Sequence, residues 1–182
     1  MLNLPVVLMG LGLAAGMARG GSLRRFFTTK FQGFWLIPAG LGMQGALEVL
    51  AAFDLGTARS VATVAMVLSY LALIAFAWLN RDLPGMWWVA GGLALNLIVI
   101  AANGAMPVSR PAAEVAGVRL DEILRGAVRH EVATPGSRFV FLADTIGLPG
   151  LRTVISAGDC LVGGGLFRLM DKLVRYEPKR LA

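Results

Sequence analysis

Two carboxylic acids stand in stretches of sequence where acids are costly. Glu48 lies late in an apolar run from Phe34 to Phe53, and Asp159 lies in another from Thr153 to Met170. Gln44 precedes Glu48 by one helical turn on the same face, and Ser156 stands one turn before Asp159. In a third run, Asn96 and Asn103 are seven residues apart and share a stripe. Surrounded by hydrocarbon, such groups must face one another, a cavity or water. A carboxyl shielded from water is also driven toward its neutral, proton-holding form. The chemistry in view is a polar pocket or proton-linked site built from Gln44, Glu48, Asn96, Asn103 and Asp159. The competing reading is interhelical hydrogen bonding, with Glu48 only about six residues, or roughly 9 Å, from the end of its run and able to reach headgroups.

The remaining reactive residue types offer less. His130, which follows Arg129, reads as a solvated or capping histidine, and its spacing to Ser137 or Ser156 matches no nucleophile arrangement. Cys160 reads as a small packing residue. With one cysteine and one histidine in the chain, an internal disulfide and a cysteine- or histidine-rich metal cluster are excluded. Gly163, Gly164 and Gly165 form no phosphate loop, because no Lys-Ser/Thr pair follows and no strand precedes them; they suit tight packing or a helix break. No catalytic residue, metal site or cofactor is implied.

The elements that must position these groups are membrane helices. Of 182 residues, 57% are hydrophobic and 15% charged, with a mean hydropathy of +0.70; soluble domains carry roughly 45–50% apolar and about 25% charged residues. The apolar residues fall in blocks at Leu2–Ala18, Phe34–Phe53, Ser60–Leu79, Gly85–Ala102 and Thr153–Met170. Most match the roughly 20 residues that cross about 30 Å of hydrocarbon; the last, with Asp159, three successive glycines and Arg168, reads as a span with a re-entrant or surface helix as its rival. The first, with Arg19, Arg24 and Arg25 after it rather than before, reads as a retained anchor, not a cleaved signal. Gly12, Gly16 and Gly20 place small residues on one face, which suits either close helix contact or a glycine-rich membrane helix with no specific partner. Trp35, Trp87 and Trp88 suit interfacial positions. Short connections at Asp54–Arg59 and Asn80–Pro84 make antiparallel neighbours in series. The expected fold is all-α: a multi-pass transmembrane bundle of about five spans forming one membrane domain over residues 1–182. A long polar extramembrane segment, 107–152, separates spans four and five. Within it, Glu114–Val128 is expected to form an amphipathic helix and Arg138–Leu142 a short extended piece.

The net charge of +6 and pI near 10.4 do not indicate nucleic acid, because the basic residues gather at the ends of apolar blocks, where lipid headgroups lie. Ten basic residues fall on one side of the five-span layout and seven on the other, six of those offset by five acids in the long segment. The positive-inside rule then sets the N-terminus outside, the C-terminus in the cytoplasm of a cell-membrane protein, and 107–152 outside. The bilayer is the expected partner, together with a membrane protein or a second copy of the chain.

Three strings, NLIVIAANGAMPV from Asn96, FLADTIGLPG from Phe141 and VISAGDCLVGGGLF from Val154, with Arg129-His130 between the first two, resemble the bacterial family catalogued as domain of unknown function 5317. The resemblance covers about residues 90–170 and implies a bacterial multi-pass protein without an assigned activity. It directs attention to Asn103, Met106, Pro107, His130, Asp144, Ser156, Gly158 and Asp159, with Asn103, Asp144 and Asp159 converging at the outer rim. Asn103-Gly104 and Pro107 should end the fourth helix. Three functional classes follow: binding or transport of a small solute or ion through the rim cluster, an accessory subunit of a larger membrane complex, and, last, a membrane enzyme acting on a lipid-like substrate. The expected behaviour on purification is retention in the membrane fraction and release only by detergent. A polypeptide that stays dispersed and compact in plain buffer would remove the basis for all three.

Overall fold

The computed structural model describes residues 4–53, 59–121 and 129–175. The chain is mostly helical: α1 (Leu4–Ala18), α2 (Leu23–Thr28), α3 (Leu36–Ala52), α4 (Arg59–Leu79) and α5 (Met86–Asn103) come first, and α7 (Ala157–Leu173) comes last. By length and composition α4 and α5 can each cross a membrane, and only 28% and 33% of their most apolar windows are buried inside the chain. The rest of that apolar surface points outward, including Val61, Val64, Leu68, Leu71 and Ile98. Glycines at positive φ bracket α5, Gly85 at 94° and Gly104 at 87°. The Gly104 N–H bonds back to the Ile100 carbonyl at 2.7 Å. Asn103-Gly104 thus ends this helix as expected.

Packing runs α3–α4–α5–α7–α1. The antiparallel series holds for α3, α4 and α5, but α1 joins the last helix of the chain rather than its sequence neighbour. Glycine explains the choice. A Cβ on Gly12 would lie 2.3 Å from the Phe167 carbonyl, and one on Gly16 would lie 2.3 Å from Val174. The small-residue face of α1 therefore fits α7, with the two helices running parallel; Gly20 sits in the following turn instead. On its other side α7 meets α5 antiparallel, backbone against backbone. Cβ atoms on Gly92 and Gly158 would fall 2.4 and 2.6 Å from each other's carbonyl oxygens, and one on Gly85 would fall 2.2 Å from that of Gly165. The triple glycine serves close packing, and α7 runs through it without a break.

The segment between α5 and α7 departs from an all-α fold. Residues Met106–Val108 (β1) pair in parallel with His130–Val132 (β2), and Val108 bridges to Asp144. Ile146–Leu148 (β3) pairs antiparallel with Thr153–Ile155 (β4). The short helix α6 (Arg110–Ala116) starts at Ser109, whose hydroxyl accepts the Ala112 N–H, and stops at Gly117, φ 65°. That stop replaces the continuous helix expected over Glu114–Val128, of which residues 122–128 lie outside the described residues. Val140–Leu142 is a 3-10 turn, not an extended piece. The fifth apolar block is also two elements: Thr153–Ile155 is strand, and the helix begins only at Ala157 because Ser156 and Asp159 form a capping box. Asp159 stands in the first turn of α7, so it is not a mid-helix acid.

This cap is fastened to the helix ends. Arg59 pairs with Glu131, and Thr63 donates to the Gly104 carbonyl at 2.8 Å. At the opposite end Asn80 clamps both backbone groups of Gln32, and Asp171 holds Arg19 and Arg175. Adjacent glycines test the packing account. Gly92→Ala is expected to lose about 1–3 kcal/mol by overpacking. Gly91→Ala, with open space around it, should be neutral or gain up to roughly 1 kcal/mol from helix propensity. Thermal or denaturant unfolding in detergent reads the difference, and equal effects at the two positions would count against it.

Candidate functional site

At the capped end of the bundle the backbone contact between Gly92 and Gly158 brings Asn96 of α5 against the start of α7. Asn96 is 2% exposed. Its amide donates to Asp159 Oδ1 at 3.0 Å, and its Oδ1 accepts the Ser156 hydroxyl at 2.9 Å. Ser156 Oγ in turn accepts the Asp159 N–H, while Asp159 Oδ2 accepts the Ser156 N–H, each at 3.0 Å. Four donors and acceptors close on one another. From α4, Tyr70 lies beside Asn96, and Asp159, Arg129 and Asp144 are the charged groups around it.

The cap supplies the roof. Register places His130 opposite Met106, and the bridge from Val108 brings in Asp144. His130 Nε2 then lies 3.6 Å from Asp144 Oδ2. Asp144 is 7% exposed at its side chain; burial, reinforced by the Asp159 charge, raises its carboxyl well above the usual range, with Arg129 opposing. Burial and the neighbouring Arg129 cation lower the His130 imidazole to about 4. Both groups are therefore held toward their uncharged forms. Arg129 donates to Gln44 Oε1 at 3.0 Å and pairs with Glu48 at 2.5 Å. Gln44 donates to Ser69, and Ser69 to the Gly40 carbonyl.

Of the residues singled out in the sequence, Asn96, Ser156 and Asp159 meet directly, and Asp144 and His130 lie over them. Gln44 and Glu48 connect through Arg129. Asn103 does something else: its side chain accepts the Arg138 N–H at 2.7 Å and donates to the Arg138 carbonyl at 2.9 Å, clamping the cap rather than joining the cluster. Tyr70, Ser69 and Arg129 belong to the network and were missed as site residues. Ser69 and Tyr70 are polar groups inside an apolar block, so the logic applied to Gln44 could have flagged them. The arrangement can hold a proton on a buried carboxyl, while the amide, hydroxyl and carboxyl groups of Asn96, Ser156 and Asp159 are bonded to one another. Among the described residues no group of three or more His, Cys, Asp or Glu side chains is placed to hold a metal ion.

The pH dependence has a definite sign. His130 binds its proton less readily folded, at about 4, than unfolded, near 6.5. Between those values the unfolded chain takes up the extra proton, so stability falls as pH drops from about 6.5 to 4. Unfolding midpoints in detergent across that range should decline more steeply for the parent than for His130→Gln. Parallel profiles would show that the imidazole is not held neutral.

A curated relative from Thermotoga maritima, described as an uncharacterised protein, is 36% identical over 116 residues. The match takes in 62% of this chain and 66% of that relative, so the chain spans just under two thirds of the relative's length. No solved structure matches. A family profile described as "Family of unknown function (DUF5317)" matches residues 28–170, extending the resemblance seen over residues 90–170 back across α3 and α4. By that match, which takes in most of the helical bundle and the whole cap, the chain belongs to the DUF5317 family.

Proposed function

We propose that this chain is a multi-pass membrane protein that binds a small polar solute or ion at the cluster beneath its cap. In this reading α1, α3, α4, α5 and α7 cross the bilayer as one membrane domain. The 107–152 segment forms an outer cap, the N-terminus is outside and the C-terminus is cytoplasmic. Support for spanning comes from the outward apolar faces of α4 and α5, which water would leave unpaid for by any partner among the described residues. The observation that carries the binding reading is the convergence of Tyr70, Asn96 and Asp159, from three helices, under Asp144, His130 and Arg129 of the cap. Polar groups gathered at one depth of an apolar bundle are where membrane proteins handle solutes and protons.

A second reading, an accessory subunit of a larger complex, is favoured by one feature: an open apolar groove on α3 and α4 lined by Met43, Val61, Val64 and Leu68. Co-migration of a second protein in mild detergent would favour it, and a lone chain would count against it.

The binding reading is tested by thermal unfolding of the purified protein with sodium, potassium, ammonium and chloride, and with neutral and acidic amino acids. A ligand at 100 times its Kd stabilises by roughly 2.7 kcal/mol, a shift of several degrees. At least one of these solutes should raise the midpoint of the parent and of Arg110→Gln, and should fail to do so in Asp159→Asn and Asn96→Ala. No shift with any of them, or a shift retained in both variants, would overturn the assignment.

A further inference from the structure

All four tryptophans lie at the end of the bundle opposite the cap. Trp35 immediately precedes α3, Trp78 is in the last turn of α4, and Trp87 and Trp88 open α5. Each is at least half exposed, at 68%, 51%, 55% and 52%. Trp78 and Trp87 meet edge to face at 5.2 Å, and the Arg81 guanidinium lies 5.3 Å over the Trp78 ring. The same end carries α2, held to the end of α7 by the Arg25 guanidinium on the Arg175 carbonyl at 2.8 Å and by Phe26, half-buried against the core. Its neighbours on the helix turn the other way: Phe27 is 78% exposed, and Leu23 and Arg24 are also exposed. Lys30 and Arg168 add exposed cations. Of the two acids described here, Asp171 is already taken by Arg19 and Arg175, leaving Asp82.

We infer that this end is an anionic-phospholipid collar, in which Phe27 and the tryptophans enter the headgroup boundary while Arg24, Lys30 and Arg81 take lipid phosphates. The inference rests on the membrane-spanning reading above. Indole and phenyl rings favour the boundary between acyl chains and headgroups, where one side is apolar and the other wet. A cation beside that boundary gains from the negative surface of an anionic leaflet, within a Debye length. The cap end has no tryptophan; Arg59, Arg119 and Arg129 there are paired with Glu131, Asp121 and Glu48, while Arg110, Arg138 and Arg152 are exposed cations without a tryptophan belt beside them. The two ends of the bundle therefore differ in the lipid they favour, and the collar selects the leaflet richer in acidic headgroups.

Because every tryptophan sits in the collar, the tryptophan emission of the unmodified chain, excited selectively over tyrosine, reports on this end alone. The protein is reconstituted in phosphatidylcholine vesicles containing a fixed fraction of either brominated phosphatidylcholine or brominated phosphatidylglycerol. Quenching by the brominated phosphatidylglycerol should be at least about threefold stronger at low salt, falling toward equality near 1 M salt. In Arg24→Gln/Lys30→Gln/Arg81→Gln the ratio should fall to about one, whereas Arg110→Gln, at the cap, should leave it unchanged. Equal quenching of the parent by both lipids, or a preference retained in the triple variant, overturns the collar. Absence of quenching by either lipid overturns the spanning reading instead.

Discussion

The bundle is organised around a crossing of two helices that meet backbone against backbone. Gly92 and Gly158 each leave no room for a methyl group, so α5 and α7 pack with no side chain between their backbones at this crossing. Dispersion between well-matched helices depends steeply on such distances, and small residues are how helices reach them. The remainder of the bundle follows from this crossing. Helix α4 packs on α5, and α3 on α4. Helix α1 packs on the far side of α7 through its own pair of glycines. The cap is a loop whose two ends, at Asn103 and Ser156, are fixed by the same crossing.

The polar network is a consequence of that closeness. With a larger residue at 158, Asn96 would be pushed from Ser156 and Asp159, and a buried amide and a carboxylate would lose their partners at once. Such groups cost more unpaired than they return when paired. Among the described residues no buried side-chain polar atom lacks a hydrogen-bond partner. Arg129 extends the same economy to the edge of the bundle, placing one cation between Gln44, Glu48 and the acids under the cap.

The helical part of this arrangement is visible in the sequence because its signals are local. Blocks read as Ser60–Leu79 and Gly85–Ala102 became helices at Arg59–Leu79 and Met86–Asn103, since hydropathy and flanking glycines set both ends. Ser156-x-x-Asp159 is equally local, a helix-start signature, yet the apolar Thr153–Ile155 before it disguised the boundary. Three-residue strands such as β1 and β2 carry no periodicity to detect, and their partners are set by the fold. The same holds for the site. Asn96 and Asp159 each stand out as polar residues in apolar surroundings, but nothing in their 63-residue separation says that they touch. Tyr70 went unnoticed because an aromatic ring blends into an apolar block, and Asn103 stood out for a reason that proved to be backbone clamping.

The pairing of the first helix with the last has a meaning in time. Arg19 and Asp171, which join the ends of α1 and α7, are 152 residues apart. At ordinary rates of synthesis that separation is roughly 8–30 s. Throughout that interval the groove over Gly12 and Gly16 exists without the strand of backbone it is shaped to receive. The contact of α1 with α7 is thus necessarily among the last in the bundle to form.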